Sequence, residues 1–446
     1  MNTPIYNFVK GYADKNSLRL HMPGHKGTNF LGVEKFDITE IDGADVLYHN
    51  DGIILESQKN ASNLFKTKKT LYSTEGSSLS IRAMLYLSMI YAKSNNKKPL
   101  ILAFRNAHKS FMHAVATLDI DVNWVYPNND NSLLSCIISP EELEKKILSI
   151  KDKPTALYVT SPDYLGNILD IESYSKICKK YGILLLVDNA HGAYLAFTSK
   201  PNHPILLGAD ITCDSAHKTL PVITGGSYLH ISNQAPSFIS EMAETAMQIF
   251  ASTSPSYLIL SSLDNFNKIS KDYTIQLNSF ENHINNLKNE LILHGFKLIG
   301  DELLKLTIMS KTYGYTGNEL AKILLNKNIV CEFYDEDFVV MMFSPYMKIE
   351  ELSLLRNTLL SIPKKSEIII SAPKLSKPLK ALSIKEALFS PSIENDIENC
   401  IGKTLASANI SCPPAVPIIV AGEIIDENTI KCFKYYKINK CRIVKN

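Results

Sequence analysis

The chain has 446 residues, 45% of them hydrophobic and 21% charged, with a formal net charge of +2. That length exceeds what one core sustains, so more than one domain is expected. The near-balanced charge gives no footing for a nucleic-acid or membrane partner, and no apolar run approaches the ~20 residues of a membrane helix. Eight cysteines are scattered with no CxxC pair, which fits a reducing interior better than a disulfide scaffold. The opening MNTPIYNFVKGYADKNSLRLHMPGHKG carries Asp14 and Lys15 and no long apolar stretch. It therefore does not read as a signal peptide, and a cytoplasmic globular enzyme or binding protein is expected.

From about residue 75, strand-like runs alternate with helical ones. PLILAF (99–104) and VNWVY (122–126) read as strands, with helical spacing between them through Leu118. SPEELEKKILSI (139–150) opens a helix on Ser139 with Pro140 at its first position, a sound start signal. TALYVTS (155–161) is the next strand, and IESYSKICKKYG closes a helix on Gly182. ILLLVDNAH (183–191) and ADITCDSAHK (209–218) follow. Short apolar strands separated by helices predict an α/β fold with a mostly parallel sheet buried on both faces. After residue 270, IQLNSFENHINNLKNELILHG (275–295) predicts a long amphipathic helix. LKLTIMS, TGNELAKILLNKN and IVCEFYDEDFVVMMFSP then suggest a smaller α+β domain, and PKKSEIIISAPKLSKP (363–378) reads as a linker. In CPPAVPIIVAGEII (412–425) the prolines forbid a helix.

His21 and His25 have the spacing of a zinc pair, but Pro23 and Gly24 between them break the helix that the pairing needs; no metal is expected. IGKTL (401–405) ends like a phosphate-binding loop, yet Ile397 stands where its first glycine belongs. TEGSSLSIRAM (74–84) places Ser77 and Ser78 at the start of a helical run, where they offer either a plain cap or an anion cradle. Ligands of parallel α/β sheets sit beyond the carboxyl ends of strands, which puts Asp188, His191, Ser215, His217 and Lys218 at one rim. Two readings remain open from these residues. In one, Asp188 and Lys218 form a salt bridge and the serines only cap. In the other, an anion cradle, an aspartate and a desolvated lysine are the three anchors of pyridoxal 5'-phosphate.

The sequence resembles the prokaryotic ornithine/lysine/arginine decarboxylases in ordered blocks along most of its length. These are LHMPGHKGT, residues 37–78, FRNAHKS (104–110), VDNAHGAY (187–194), SAHKTLP (215–221), STSPSYLILSSLD (252–264) and CPPAVPIIVAGE (412–423). The resemblance is to the short form, without the receiver-like N-terminal wing of larger relatives. It implies a large pyridoxal phosphate-dependent transferase-like (fold type I) domain, a small α+β domain and a C-terminal α+β extension. The divisions expected are an arm at 1–36, the large domain at 37–270, the small domain at 271–365 and the C-terminal domain at 366–446.

The implied activity is carboxy-lyase chemistry on arginine, lysine or ornithine, as in polyamine biosynthesis. Lys218 would be the covalent anchor of the coenzyme, with His217 touching the phosphate or assisting proton transfer. Ser77, Ser78 and Ser215 would hold the phosphate. Asp188 would pair with the pyridinium, Ala190 and His108 would flank the ring, and His191 belongs to the same rim. His108 or Lys218 would protonate the product. Ser252 or Thr253 would reach the phosphate of a neighbouring subunit, which implies a homodimer or a higher homo-oligomer. Glu423 is the candidate for the distal cation of the substrate. Three positions depart from the family pattern: Gly225 stands where glutamine is usual, Asn189 where glutamate is common, and Glu75 where asparagine is common. Another reaction on the same coenzyme, such as transamination, and a non-catalytic paralogue are the alternatives. Arg356 alone between 271 and 362 could hold a substrate carboxylate as aminotransferases do.

Overall fold

The computed structural model describes residues 1–127, 133–374, 377–408, 411–412 and 416–445. In chain order the elements begin α1 (Pro4–Asp14), α2 (Ile53–Phe65), β1 (Lys69–Ser73), α3 (Ser77–Ser94), β2 (Leu100–Phe104), α4 (Lys109–Leu118), β3 (Asp121–Val125) and α5 (Pro140–Ser149). They continue with β4 (Ala156–Thr160), α6 (Ile171–Tyr181), β5 (Leu184–Asp188), β6 (Ile211–Asp214), α7 (Ala216–Thr219), β7 (Ser227–Ile231), α8 (Ser237–Gln248) and α9 (Tyr257–His294). Next come β8 (Leu298–Ile299), β9 (Lys305–Met309), α10 (Gly317–Leu325), β10 (Phe333–Tyr334), β11 (Phe338–Met342) and α11 (Ile349–Leu360). The last are α12 (Ile384–Phe389), β12 (Ser392–Asp396), β13 (Ser411–Cys412), β14 (Val416–Pro417), α13 (Glu427–Tyr435) and β15 (Lys440–Val444).

Two compact units are found. The first comprises Met1–Pro99, Pro154–Ser161 and Asp170–Ile275, the second Leu100–Lys153, Pro162–Leu169 and Gln276–Asn446. The four-part division predicted from sequence is a finer partition and stands as a proposal. In the first unit five strands run in the order β1-β7-β6-β5-β4. Strands β4, β5 and β6 are parallel, and β7 runs against both β6 and β1. Every residue of β5, β6 and β7 is buried, as the near-continuous apolar runs require of a sheet covered on both faces. Register sets Thr160 beside Asp188 and Asp188 beside Cys213, so the carboxyl ends of three strands finish level. The antiparallel β7 was not foreseen. The connection 215–226, with the short α7 and Gly225 at φ +99°, a conformation that favours glycine, returns the chain antiparallel to β6.

In the second unit β2 and β3 form a parallel pair, β10-β11-β9-β8 an antiparallel sheet, and β12 pairs with β15 and β13 with β14. One core joins Leu134, Leu165, Phe333, Phe338, Val340 and Val416, and another is built around Leu405, Ile419, Phe433 and Ile443. Helix α5 begins where Ser139 predicts, with a capping box to Glu142. Helix α9 is longer than expected and starts at Tyr257. Its first turns bury Tyr257, Leu260, Leu263 and Phe266, a three-residue spacing that carries the helix upstream of residue 275. Residues 363–374 and 377–378 form no helix or strand, in keeping with the linker reading, and Ile369 is 91% exposed. Of the proline-rich stretch 412–425, residues 413–415 lie outside the described residues; the remainder contains no helix. Thr404 and Leu405 bridge to Ile424 and Ile443, so IGKTL does not open a helix. Among the described residues no helix is long and apolar enough to cross a membrane.

Asp45 organises the entry to α2. Its carboxylate accepts the backbone N–H groups of Val46 (2.8 Å), Asp51 (3.2 Å), Gly52 (3.0 Å) and Ile54 (2.8 Å), and its own φ is +69°. Asp45→Ala is expected to lower unfolding stability by about 2–3 kcal/mol, read as a urea midpoint. Asp45→Asn, which tolerates the left-handed backbone and keeps one acceptor, should lose less.

Candidate active site

Helix α3 starts immediately after Gly76, which has φ +69°. Its first residues, Ser77 and Ser78, place hydroxyls at the start of an 18-residue helix, the kind of position that receives anions. The Ser215 hydroxyl donates to Ser77 Oγ at 2.8 Å, so serines from two elements meet. The turn before the helix is fixed by Gly76 N–H donating to Gly225 O at 2.8 Å. A Cβ at Gly225 would lie 3.0 Å from both Thr74 O and Ile259 Cδ1. The departure to glycine at 225 is therefore required by this packing. Glu75 Oε1 accepts the N–H of Ser252 at 2.7 Å, which ties the same turn to the exposed Ser252–Thr253 segment. The departure at 75 has a structural use as well.

Asp188 ends β5 and is 2% exposed. Tyr158, two residues before the end of β4, donates its hydroxyl to Asp188 Oδ2 at 3.0 Å. Ala190 N–H donates to Oδ1 at 3.2 Å, and the Cys213 thiol lies 3.6 Å from the same oxygen. Burial pushes the Asp188 carboxyl up; the charge of Lys218, then the Tyr158 hydroxyl, pull it back. Lys218, on the short α7 that follows β6, is half-buried, with Nζ 3.0 Å from His191 Nε2. His217 Nδ1 donates to Gly226 O at 2.9 Å, and burial, aided by the Lys218 charge, lowers the ring's pKa from 6.5. The first unit thus holds Ser77, Ser78, Asp188, Ala190, His191, Ser215, His217 and Lys218, with Ser77 bonded to Ser215 and Lys218 to His191.

The remaining candidates are placed differently. His108 caps α4 in the second unit, its Nδ1 accepting from Ser110 N–H at 3.1 Å. Glu423, also in the second unit, is buried, accepts Val420 N–H at 2.7 Å and lies 3.7 Å from Arg105. Thr253 is exposed. Away from the site, His25 faces Asp37 at 3.2 Å while His21 bonds Tyr12, so the zinc-like pair takes two different partners. Sequence reasoning missed Tyr158 and Cys213. Both sit inside apolar strands, and only the alignment of β4, β5 and β6 reveals that they face Asp188.

The donor set fits pyridoxal phosphate. Hydroxyls and a helix start suit a dianion, a buried carboxylate suits a ring N–H⁺, and an amine that a carboxylate and an imidazole both face suits an aldehyde. Fold and site together define an enzyme of the pyridoxal phosphate-dependent fold type I class. The description "Orn/Lys/Arg decarboxylase, major domain" matches residues 3–292. The chain belongs to that family and is a decarboxylase. It is 32% identical to the uncharacterized protein YaaO of Bacillus subtilis (strain 168), over 97% of this chain and 93% of that one. It is 28% identical to an arginine decarboxylase of Halalkalibacterium halodurans, over 96% of this chain and 92% of the relative. The lysine decarboxylase LdcF of Francisella novicida shares the fold, with a TM-score of 0.81, 17% identity, and coverage of 99% of this chain and 81% of that one.

Two substitutions test this geometry. Tyr158→Phe removes a donor from a buried carboxylate, so the affinity for added pyridoxal phosphate should fall by the equivalent of about 1–3 kcal/mol, measured by fluorescence titration. Gly225→Gln, which restores the family residue, should lower the thermal midpoint because it forces a side chain onto Thr74 O.

Proposed function

We propose that the protein releases carbon dioxide from a basic amino acid, with arginine ahead of lysine and ornithine, and uses pyridoxal 5'-phosphate to do so. The observation that carries this reading is the buried Asp188 carboxylate, held by Tyr158, Ala190 N–H and Cys213 and faced by Lys218. Relatives named arginine decarboxylase align over 92% of their own length, which supports arginine as first choice. The bound coenzyme supplies an acceptor for the electron pair left behind when the α-carboxylate departs.

This chain's residues do the rest. Ser77, Ser78 and Ser215 with the start of α3 bind the phosphate. Asp188 holds a proton on the ring nitrogen, an ion pair strengthened by its dry setting. Lys218 anchors the aldehyde, and His191, 3.0 Å from its Nζ, accepts from the amine and steadies it. Ala190 leaves room for a flat ring because its side chain is one methyl. In neutral His217 the proton sits at Nδ1, directed at Gly226 O, and the lone pair at Nε2, which favours proton exchange over phosphate contact. In neutral His108 the Ser110 amide fixes the proton at Nε2, so Nε2 would be its proton-donating atom.

For the distal cation of the substrate we propose Glu423. It borders a cavity of about 270 Å³ with Trp124, Tyr126, Lys377 and Lys380. Burial raises its carboxyl and Arg105 opposes this. The 3.7 Å separation from Arg105 exceeds a charge-assisted hydrogen bond, so the carboxylate keeps capacity for a second cation. Decarboxylation is favoured over transamination because the Arg356 guanidinium is committed to Glu290 and Asn357. A homodimer is proposed from Leu18, Leu20, Phe30 and Leu31, which are exposed by 84%, 84%, 74% and 86% and need covering. Thr253 then faces the neighbouring subunit's phosphate.

Carbon dioxide release should be screened over arginine, lysine and ornithine, beside a keto-acid assay. Amine and carbon dioxide are expected; a keto acid overturns the reading, as does a Lys218→Ala protein that keeps the visible coenzyme band and turns over. Because the His217 pKa lies below 6.5, kcat should hold at neutral pH and fall only as pH drops beneath that value. His217→Gln should abolish this acid limb. Glu423→Gln should raise KM about tenfold or more with the coenzyme affinity unchanged.

A further inference from the structure

Behind the site lies a fully buried polar cluster that the chemistry above does not use. Asp214, the last residue of β6, is 0% exposed, as are His203, His230 and Asn189. Asp214 Oδ2 is met by His203 Nε2 at 2.8 Å and His230 Nε2 at 3.2 Å, and Asn189 Nδ2 donates to Oδ1 at 2.8 Å. Asn189 follows Asp188 directly, and Asp214 precedes Ser215 and Lys218. A side-chain bridge therefore joins the two chain ends just beyond their ladder, where Asn189 N–H also donates to Cys213 O at 2.9 Å.

The cluster holds one carboxyl group, that of Asp214. Burial alone would raise the Asp214 carboxyl, but His203 and His230 together carry it well below the usual carboxylate range. His230 is lowered by burial, against the pull of Asp214. The Asn189 amide nitrogen donates to the Asp214 carboxylate and lies 2.9 Å from His203 Nε2, while its Oδ1 is buried without a hydrogen-bond partner. A second carboxylate at 189 would sit within hydrogen-bond length of Asp214 in a dry setting, and the two would compete for the one His203 Nε2 proton. The three ligand-type atoms lie within 4.8 Å of one another, yet a metal fits poorly. Ile205 N–H donates to His203 Nδ1 at 3.2 Å, which places the ring proton on Nε2, aimed at Asp214. The Phe65 ring packs on both imidazoles, with centroids at 5.7 and 4.5 Å.

We infer that His203, Asp214, His230 and Asn189 form a single-carboxylate clamp that fixes the ends of β5 and β6, and that Asn189 is a positioning residue whose neutrality the clamp requires. The positional consequence rests on the functional reading above; the clamp itself does not. The test compares Asn189→Asp, Asp214→Asn and the double swap N189D/D214N with the parent protein. Urea midpoints are taken without coenzyme, and the affinity for added pyridoxal phosphate is read by absorbance.

Each single change should lower the midpoint, and the double swap, which restores one acid and one amide, should recover at least about half of the summed loss. The deficit of Asn189→Asp should shrink as pH falls, because the added carboxyl, raised by burial and by Asp214 and opposed by His203, takes up a proton. The half-saturating coenzyme concentration should rise about tenfold in Asn189→Asp and recover in the double swap. Additive losses, or a deficit that ignores pH, overturn the clamp, as does zinc chloride raising the parent's midpoint. If the parent binds no coenzyme while the swap rescues stability, the clamp stands and the functional reading fails.

Discussion

The parallel registry of β4, β5 and β6 is the constraint on which the site depends. Thr160, Asp188 and Cys213 lie at one level across three strands, and each strand is buried along almost its whole length. Side chains alternate faces with a period of two, so a slip of one residue in β5 would carry Asp188 to the opposite face and leave Tyr158 and Cys213 without it. Burying a carboxylate costs several kcal/mol unless donors and a cation surround it. Here they come from the two strands flanking β5, from Ala190 N–H and from Lys218. Core packing sets the registry, and the registry creates the chemistry.

Much of this was legible in the sequence, for reasons visible in particular residues. Gly182 at the end of α6 and the Ser139–Glu142 box at the start of α5 are local devices that act through adjacent backbone, so sequence reports them faithfully. Asp188 and Lys218 were found because each directly follows an apolar run. Tyr158 and Cys213 were not, because a tyrosine or a cysteine inside a strand looks like core, and which neighbour it meets depends on strands that are distant in sequence. The reversed direction of β7 and the early start of α9 were missed for a similar reason. The first depends on the whole 215–226 connection; the second begins in a segment quoted for its resemblance rather than its spacing.

The three departures from the family pattern share an explanation. Gly225 and Glu75 belong to one turn, where the absence of a side chain lets Gly76 N–H reach Gly225 O and the glutamate fastens Ser252. Asn189 belongs to the cluster around Asp214. Each altered residue is matched by its surroundings, as expected of a sequence in which local choices agree with the fold. A decayed scaffold would show unmatched changes instead. None of the three replaces Asp188, Lys218 or a serine of the cradle.

The thiol beside Asp188 has a practical consequence. Cys213 is 0% exposed, and burial, with the neighbouring carboxylates, drives it well above its ordinary pKa, so almost no thiolate exists there to meet an alkylating agent or peroxide. Among the seven cysteines whose side chains are described, only Cys331 is not buried. Maleimide labelling or oxidant challenge of the folded protein will thus stay blind to Cys213, and a change under mild oxidation would have to begin at another side chain.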